Sequence, residues 1–167
     1  MHIGRRPHKD LADVTIHNDG IARIDAASPA DARAWPFHLR GIEAEIALRL
    51  GEAVDAERAA TLDVAGATRL VDAMTVSIEL VDSRWQQAFD APALHKLADL
   101  QSHGGLVLGA WVPFRALDWA SLVCELRIGA QAQTFTGTHS LGDPAWLLPQ
   151  WLKRACAMYG QVPMLSS

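Results

Sequence analysis

Gly41-Ile42-Glu43-Ala44-Glu45-Ile46-Ala47-Leu48-Arg49-Leu50 is the stretch that decides how this chain folds. Ile42, Ala44, Ile46, Leu48 and Leu50 alternate with Glu43, Glu45, Ala47 and Arg49. A strand sends successive side chains to opposite faces, so the even positions make one apolar face and Glu43 and Glu45 share the other. Glu, Ala, Leu and Arg are also good helix formers. At about 3.6 residues per turn, however, a helix would splay Glu43 from Glu45 and wrap the apolar set round its axis. The unbroken alternation, closed by Gly51, reads as a strand.

Outward from it, Met74, Val76, Ile78 and Leu80 alternate with Thr75, Ser77, Glu79 and Val81, which predicts a second strand with the even positions toward the core. Residues 55–62 and 91–100 read as helices, with Pro92 suited to a first turn, and residues 68–73 as a further turn of helix. Residues 106–112 read as a buried strand, and residues 122–128 and 131–136 as strands joined at Gly129-Ala130. Asn18-Asp19-Gly20 marks a hairpin between residues 14–17 and 21–24. Asp143-Pro144 offers a helix cap and first residue, followed by a stripe of Trp146, Leu147, Trp151, Leu152 and Ala155 that ends at Gly160. Pro149 must kink that helix or delay its start.

The chain has 167 residues, the size of a single domain (residues 1–167), and half of them are hydrophobic. Fifteen Lys and Arg against 19 Asp and Glu leave a net charge of −4, which argues against nucleic acid as a partner. The uncharged run at residues 104–114 is far short of the ~20 residues that span a membrane, so no membrane role is expected. Arg5, Arg6, His8 and Lys9 lead into no apolar stretch, unlike a secretory signal. Cys124 and Cys156 are far apart and read as buried reduced thiols of a cytoplasmic protein.

Two carboxylates at i and i+2 of a strand lie about 6.5–7 Å apart along the backbone and can share a cation. An isolated pair of this kind more often simply faces water. Glu79 is the acid on the non-core face of the second strand and is the third candidate; Asp82 has the opposite parity and can pair with Arg84. Three oxygen donors without His or Cys suit Mg²⁺ or Mn²⁺ rather than zinc. His103 and His139 sit in loops, where either an acid/base role or plain hydrogen bonding is open to them. The glycines at 137 and 142 have P-loop spacing, but Asp143 stands where a lysine is required. Of the six tryptophans, read mostly as core or interface, Trp85 and Trp111 are the candidates for pocket walls.

Four segments in order, Glu43-Ala44-Glu45-Ile46-Ala47, Ile78-Glu79-Leu80-Val81-Asp82-Ser83-Arg84, Ala98-Asp99-Leu100-Gln101-Ser102-His103-Gly104 and Leu141-Gly142-Asp143-Pro144, resemble the fumarylacetoacetate hydrolase superfamily. The pattern is similar to its branch of 2-keto-4-pentenoate hydratases and 4-oxalocrotonate decarboxylases, and is strongest over residues 40–153. The resemblance implies an α+β fold, a mixed β-roll of the fumarylacetoacetase C-terminal-domain type with flanking helices. It implies Mg²⁺ or Mn²⁺ on Glu43, Glu45 and Glu79, a small 2-oxo acid substrate bound through its carboxylate, and a homodimer. His103 and Lys96 are then the candidates for acid/base catalysis, with Ser102 and Asp99 as substrate contacts. The implied activity is a metal-dependent hydro-lyase, a hydratase of 2-hydroxy-2,4-dienoate acids in aromatic catabolism. A carbon–carbon bond hydrolase of acylpyruvate-like diketones and a truncated, non-catalytic paralogue are the alternatives. The family's lysine-bearing segment ahead of the E-x-E strand and its closing pocket strand have no counterpart in the pattern here, so the chain reads as a shortened member.

Overall fold

The computed structural model describes residues 23–24, 37–39, 41–128, 130–137 and 143–163. The elements in chain order are β1 (Arg23–Ile24), β2 (Gly41–Leu50), β3 (Val54–Asp55), α1 (Ala56–Thr61), α2 (Val64–Thr68), β4 (Val71–Val81), α3 (Ala93–Ala98), β5 (His103–Leu108), β6 (Val112–Pro113), β7 (Val123–Ile128), β8 (Gln131–Thr136), α4 (Leu147–Tyr159) and β9 (Gln161–Val162). The fold is mixed α+β. Two compact units are built from it, residues 1–47 with 75–110 and residues 48–74 with 111–167, so β2 and β4 each contribute to both.

In the first unit β1 lies parallel to β5, β5 pairs antiparallel with β4, and β2 flanks β4. Its burial is unusual in kind. Thr75, Ser77, Ser83, Asp99, Ser102 and His103 are buried there, whereas the buried apolar side chains among the described residues are Val81 and Ala91. Buried polar groups are the informative kind of burial, because each needs a partner or a purpose. This corrects the face assigned to β4 from its apolar alternation. The odd face, carrying Thr75, Ser77 and Val81, is the covered one, and Val76 on the even face is 61% exposed. The polar positions point inward because that side carries the acid Glu79.

The second unit holds the apolar core: Leu50, Val54, Ala59, Ala67, Leu70, Val71, Leu152, Ala155, Cys156 and Val162. Asp55 and Asp63 cap α1 and α2, accepting from the amides of Arg58 and Gly66. Residues 71–73, expected as helix, are already strand, since α2 ends at Thr68 and β6 pairs with Ala73 and Met74. The strand expected at 106–112 is broken likewise: β5 stops at Leu108, and Val112 belongs to β6 and is exposed. β7 and β8 form a regular hairpin from Val123↔Thr136 to Ile128↔Gln131.

Asp143 caps a single 3₁₀ turn over Pro144–Trp146, and α4 starts only at Leu147. Pro149 therefore falls in the first α-turn, where its missing N–H is no loss. The buried stripe of α4 is Pro149, Leu152, Ala155 and Cys156, while Trp146 and Trp151 are largely exposed. Trp151 lies off the Pro149, Leu152, Ala155 line that faces the core, and Trp146 lies ahead of α4 in the 3₁₀ turn. Cys156 donates its thiol to the Val54 carbonyl at 3.2 Å; Cys124, on β7, is only half-buried. Among the described residues no helix is long and apolar enough to cross a membrane. The hairpin expected around residues 18–20, and His139 with its loop, lie outside the described residues.

Leu152 is fully buried, so Leu152→Ala should cost about 2–5 kcal/mol in urea-induced unfolding. Trp151→Ala removes more atoms but should cost less, because its side chain is 43% exposed.

Candidate metal centre

Glu43 and Glu45 project from one face of β2, and β4 brings Glu79 beside them. A Cβ built on Gly41 would lie 3.1 Å from the Val81 Cβ, so these residues face each other on neighbouring strands. At the far end the Gly51 amide donates to the Leu70 carbonyl at 2.8 Å, which makes the strands antiparallel. Counting by twos from the Gly41–Val81 end alone sets Glu43 opposite Glu79 and Glu45 opposite Ser77; the Gly51–Leu70 and Arg49–Asp72 contacts at the far end are one residue out of that register, so the pairing shifts between the two ends. One carboxylate oxygen from each of Glu43, Glu45 and Glu79 lies within 4.8 Å of the others.

Three like charges at that spacing resist ionisation together. Glu43 and Glu45 keep an open side to solvent, but protein atoms crowd their carboxyl ends. For Glu45, that desolvation, then the charges of Glu79 and Glu43, push the pKa up to about 7, with His103 pulling the other way. Desolvation and then Glu79 raise Glu43 in the same direction. A divalent cation relieves this repulsion more fully than protons do, and an all-oxygen donor set suits a hard ion.

His103 joins the cluster by a local irregularity. β5 pairs with β4 in register from Leu108 to Gly105, then shifts so that Val81 faces His103 and Gly104 is the extra residue. Without that bulge, alternation would send the His103 side chain to the opposite face from Glu79. With it, His103 Nδ1 lies 2.7 Å from Glu79 Oε1. An ionised carboxylate only accepts, so Nδ1 carries the proton in that bond, and in the neutral imidazole Nε2 is left as an acceptor. Nε2 is buried and has no hydrogen-bond partner among the described residues. Glycine is required at 104: a Cβ there would meet the Leu80 carbonyl oxygen at 2.7 Å and the Asp82 Cβ at 3.1 Å.

The chain reaches His103 through three successive left-handed residues, Leu100, Gln101 and Ser102, at φ of 50°, 56° and 71°. Non-glycine residues pay about 1–2 kcal/mol each for that conformation, so something must hold them. Asp99 is the anchor. Its buried carboxylate accepts from the Arg84 guanidinium at 2.7 Å, the Arg84 amide at 3.0 Å and the Ser83 hydroxyl at 3.1 Å. Its carbonyl accepts from the Ser102 amide at 2.9 Å. Arg84 also donates to the His103 carbonyl at 2.9 Å, and the Asp82 amide to that of Ser102 at 2.8 Å.

Of the candidates named from sequence, then, the three glutamates and His103 come together. Asp99 and Ser102 build the turn behind His103. Lys96, on α3, gives its ammonium to the Phe89 carbonyl at 3.2 Å. The expected Asp82–Arg84 pair does not form, because Arg84 takes Asp99. Asp82 instead accepts from the amides of His38 and Leu39 and lies 3.3 Å from His38 Nδ1. Burial works to raise the Asp82 carboxyl, but these donors outweigh it and hold it below the ordinary range. Trp85 stacks on His95 at 4.6 Å, and Trp111 lies 5.6 Å from the Arg49 guanidinium. Ser77, on the face of Glu79, was not singled out from the sequence; its i, i+2 relation to Glu79 was the available signal.

No protein-family model matches the chain, and no curated protein matches it in sequence. Solved structures do match. 4-Oxalocrotonate decarboxylase from Pseudomonas putida G7, complexed with magnesium and adipate, superposes with a TM-score of 0.55 at 19% identity, covering 74% of this chain and 46% of that one. The same enzyme complexed with calcium and acetate gives 0.54 at 16% identity, over 74% of this chain and 45% of that one. The chain shares the fold of 4-oxalocrotonate decarboxylase. It spans less than half the length of those structures. The fold is thus that of the branch which the sequence motifs resemble.

The raised Glu45 pKa sets a pH dependence. Between about 4.5, the ordinary value, and about 7, the folded chain keeps a proton that the unfolded chain has lost. The native state then binds more protons, so stability falls as pH rises through this window. Urea unfolding in chelator should show that decline, and Glu45→Gln should flatten it. An unchanged slope in the variant would mean that Glu45 is not the crowded group.

Proposed function

We propose that Glu43, Glu45 and Glu79 hold Mg²⁺ or Mn²⁺, and that this centre serves lyase chemistry on a 2-oxo or 2-hydroxydienoate acid, hydration of a 2-keto-4-pentenoate-type substrate first among such reactions. The observation that carries the reading is the convergence of three carboxylate oxygens within 4.8 Å on a face that also orients a histidine. The shared fold supports it, since the decarboxylase was crystallised with a divalent ion and a dicarboxylate. When bound, the ion supplies a Lewis acid for the 2-oxo carboxylate group.

The protein groups divide the remaining work. The three glutamates provide anionic oxygen ligands. His103 moves the proton through Nε2, because Nδ1 is committed to Glu79, which fixes the tautomer. Lys96 is the weaker candidate, its ammonium being held by a backbone carbonyl. Asp99, Ser102 and Arg84 serve by holding the strained turn that aims His103, rather than by reaching the substrate.

Mn²⁺ at about 100 times its dissociation constant should stabilise the wild-type chain by roughly 3 kcal/mol, a rise of about 5–10 °C in thermal midpoint for a chain of this size. Glu45→Gln should lose most of that rise. Equal shifts in the two proteins would overturn the metal reading. Loss of dienoate absorbance, measured with 2-hydroxy-2,4-pentadienoate and Mn²⁺, should slow at least a hundredfold in His103→Ala. Metal binding by the wild type without any turnover would sink the lyase assignment while leaving the metal centre standing.

A further inference from the structure

Ser77 lies two residues before Glu79 on the covered face of β4, opposite Glu45 by the strand count above. It is 2% exposed, and its hydroxyl oxygen is buried with no hydrogen-bond partner among the described residues. Thr75, its neighbour along the same face, shows the ordinary arrangement: its hydroxyl donates to the Ala110 carbonyl at 2.9 Å. Buried hydroxyls left without a partner are rare and costly. A strand that keeps one beside a cluster of acids is maintaining it for a use.

The polar set on this face limits what that use can be. Glu43, Glu45 and Glu79, when ionised, only accept hydrogen bonds, and in the neutral imidazole whose Nδ1 serves Glu79, His103 Nε2 is an acceptor too. Among these described side chains Ser77 is the one with a proton free to donate. Glu79 already has His103 orienting one of its oxygens. Glu45 has no such support from any described residue, and Ser77 stands across from it. Ligating carboxylates in metal centres are normally themselves hydrogen-bonded, and loss of that outer contact weakens the site.

We propose that Ser77 is a positioning residue of the metal centre, whose buried hydroxyl donates to the Glu45 carboxylate when that carboxylate turns to take a divalent cation. It does for Glu45 what His103 does for Glu79. The assignment rests on the metal reading of the three glutamates.

The test compares wild type, Ser77→Ala and Ser77→Cys, measuring Mn²⁺ affinity by calorimetry and the thermal midpoint in chelator. Ser77→Ala should bind Mn²⁺ at least about tenfold more weakly. Its metal-free midpoint should equal or exceed that of wild type, because a buried polar group without a partner has been removed. Ser77→Cys, with similar volume but a weak donor, should fall between the two in affinity. A lower metal-free midpoint in Ser77→Ala would make the hydroxyl structural and overturn the assignment, whatever the affinity does. Affinity within twofold of wild type would overturn it as well. If the wild type itself binds no Mn²⁺, the metal reading fails and takes this assignment with it.

Discussion

The constraint on which this structure turns is the crowding of three carboxylates on two adjacent strands. Backbone pairing of β2 with β4 leaves Glu43, Glu45 and Glu79 nowhere else to go, since strand parity sends them all to one side. The fold therefore imposes a repulsion that side-chain rotation cannot remove. Glu45 shows the combined effect, its pKa pushed up to about 7 first by desolvation and then by the charges of Glu79 and Glu43. A sequence selected for stability alone would replace one of these acids. Their presence together is a physical argument for a cation, because a divalent ion would turn the same geometry from a liability into binding energy.

The second requirement is directional. A histidine at the start of β5 would face away from Glu79 in a regular antiparallel pair. The bulge at Gly104 reverses it, and the left-handed turn at Leu100, Gln101 and Ser102 delivers the chain into the bulge. Both features cost stability. They persist because Asp99 and Arg84 bind the turn from two sides through backbone and side-chain hydrogen bonds. Strain held in place by an ion pair with a buried carboxylate, next to a polar atom without a partner among the described residues, is how a fold stores an orientation for later use.

Much of this was legible in the sequence, but unevenly. The alternation of residues 42–50 marked β2 against good helix-forming composition; parity set Glu43 beside Glu45 and picked out Glu79 on the next strand, and the family resemblance joined the three. Asp143-Pro144 and Gly160 marked the limits of the last helical segment for local reasons of capping and backbone conformation. What failed was anything that depended on which side of an element is covered. The apolar positions of β4 looked like a core face, yet Thr75 and Ser77 are buried while Val76 is exposed and, of that apolar set, Met74 alone is buried. Trp151 was read into the same stripe as Leu152 and Ala155, yet those two are buried and it is exposed. A pattern records contrast between faces, whereas coverage depends on partners elsewhere in the chain. The bulge at Gly104 was invisible for the same reason: its cause, a carbonyl oxygen of Leu80, lies on another strand.

The distribution of burial also separates two properties that a functional reading tends to merge. The carboxylates, His103, Ser77 and the Asp99–Arg84 anchor all belong to the unit formed by residues 1–47 and 75–110, while the apolar core belongs to the other. The three carboxylates proposed to hold the ion thus all lie within one unit. Selection among hydration, hydrolysis and decarboxylation is a different matter, because an ion that stabilises negative charge on a 2-oxo acid serves all three. The choice depends on which groups reach the far end of the substrate, and the neighbouring structures are more than twice as long as the region they share with this chain. Ion binding and turnover are accordingly independent tests of this protein. The first probes geometry already present on β2 and β4, and the second probes whatever closes over it.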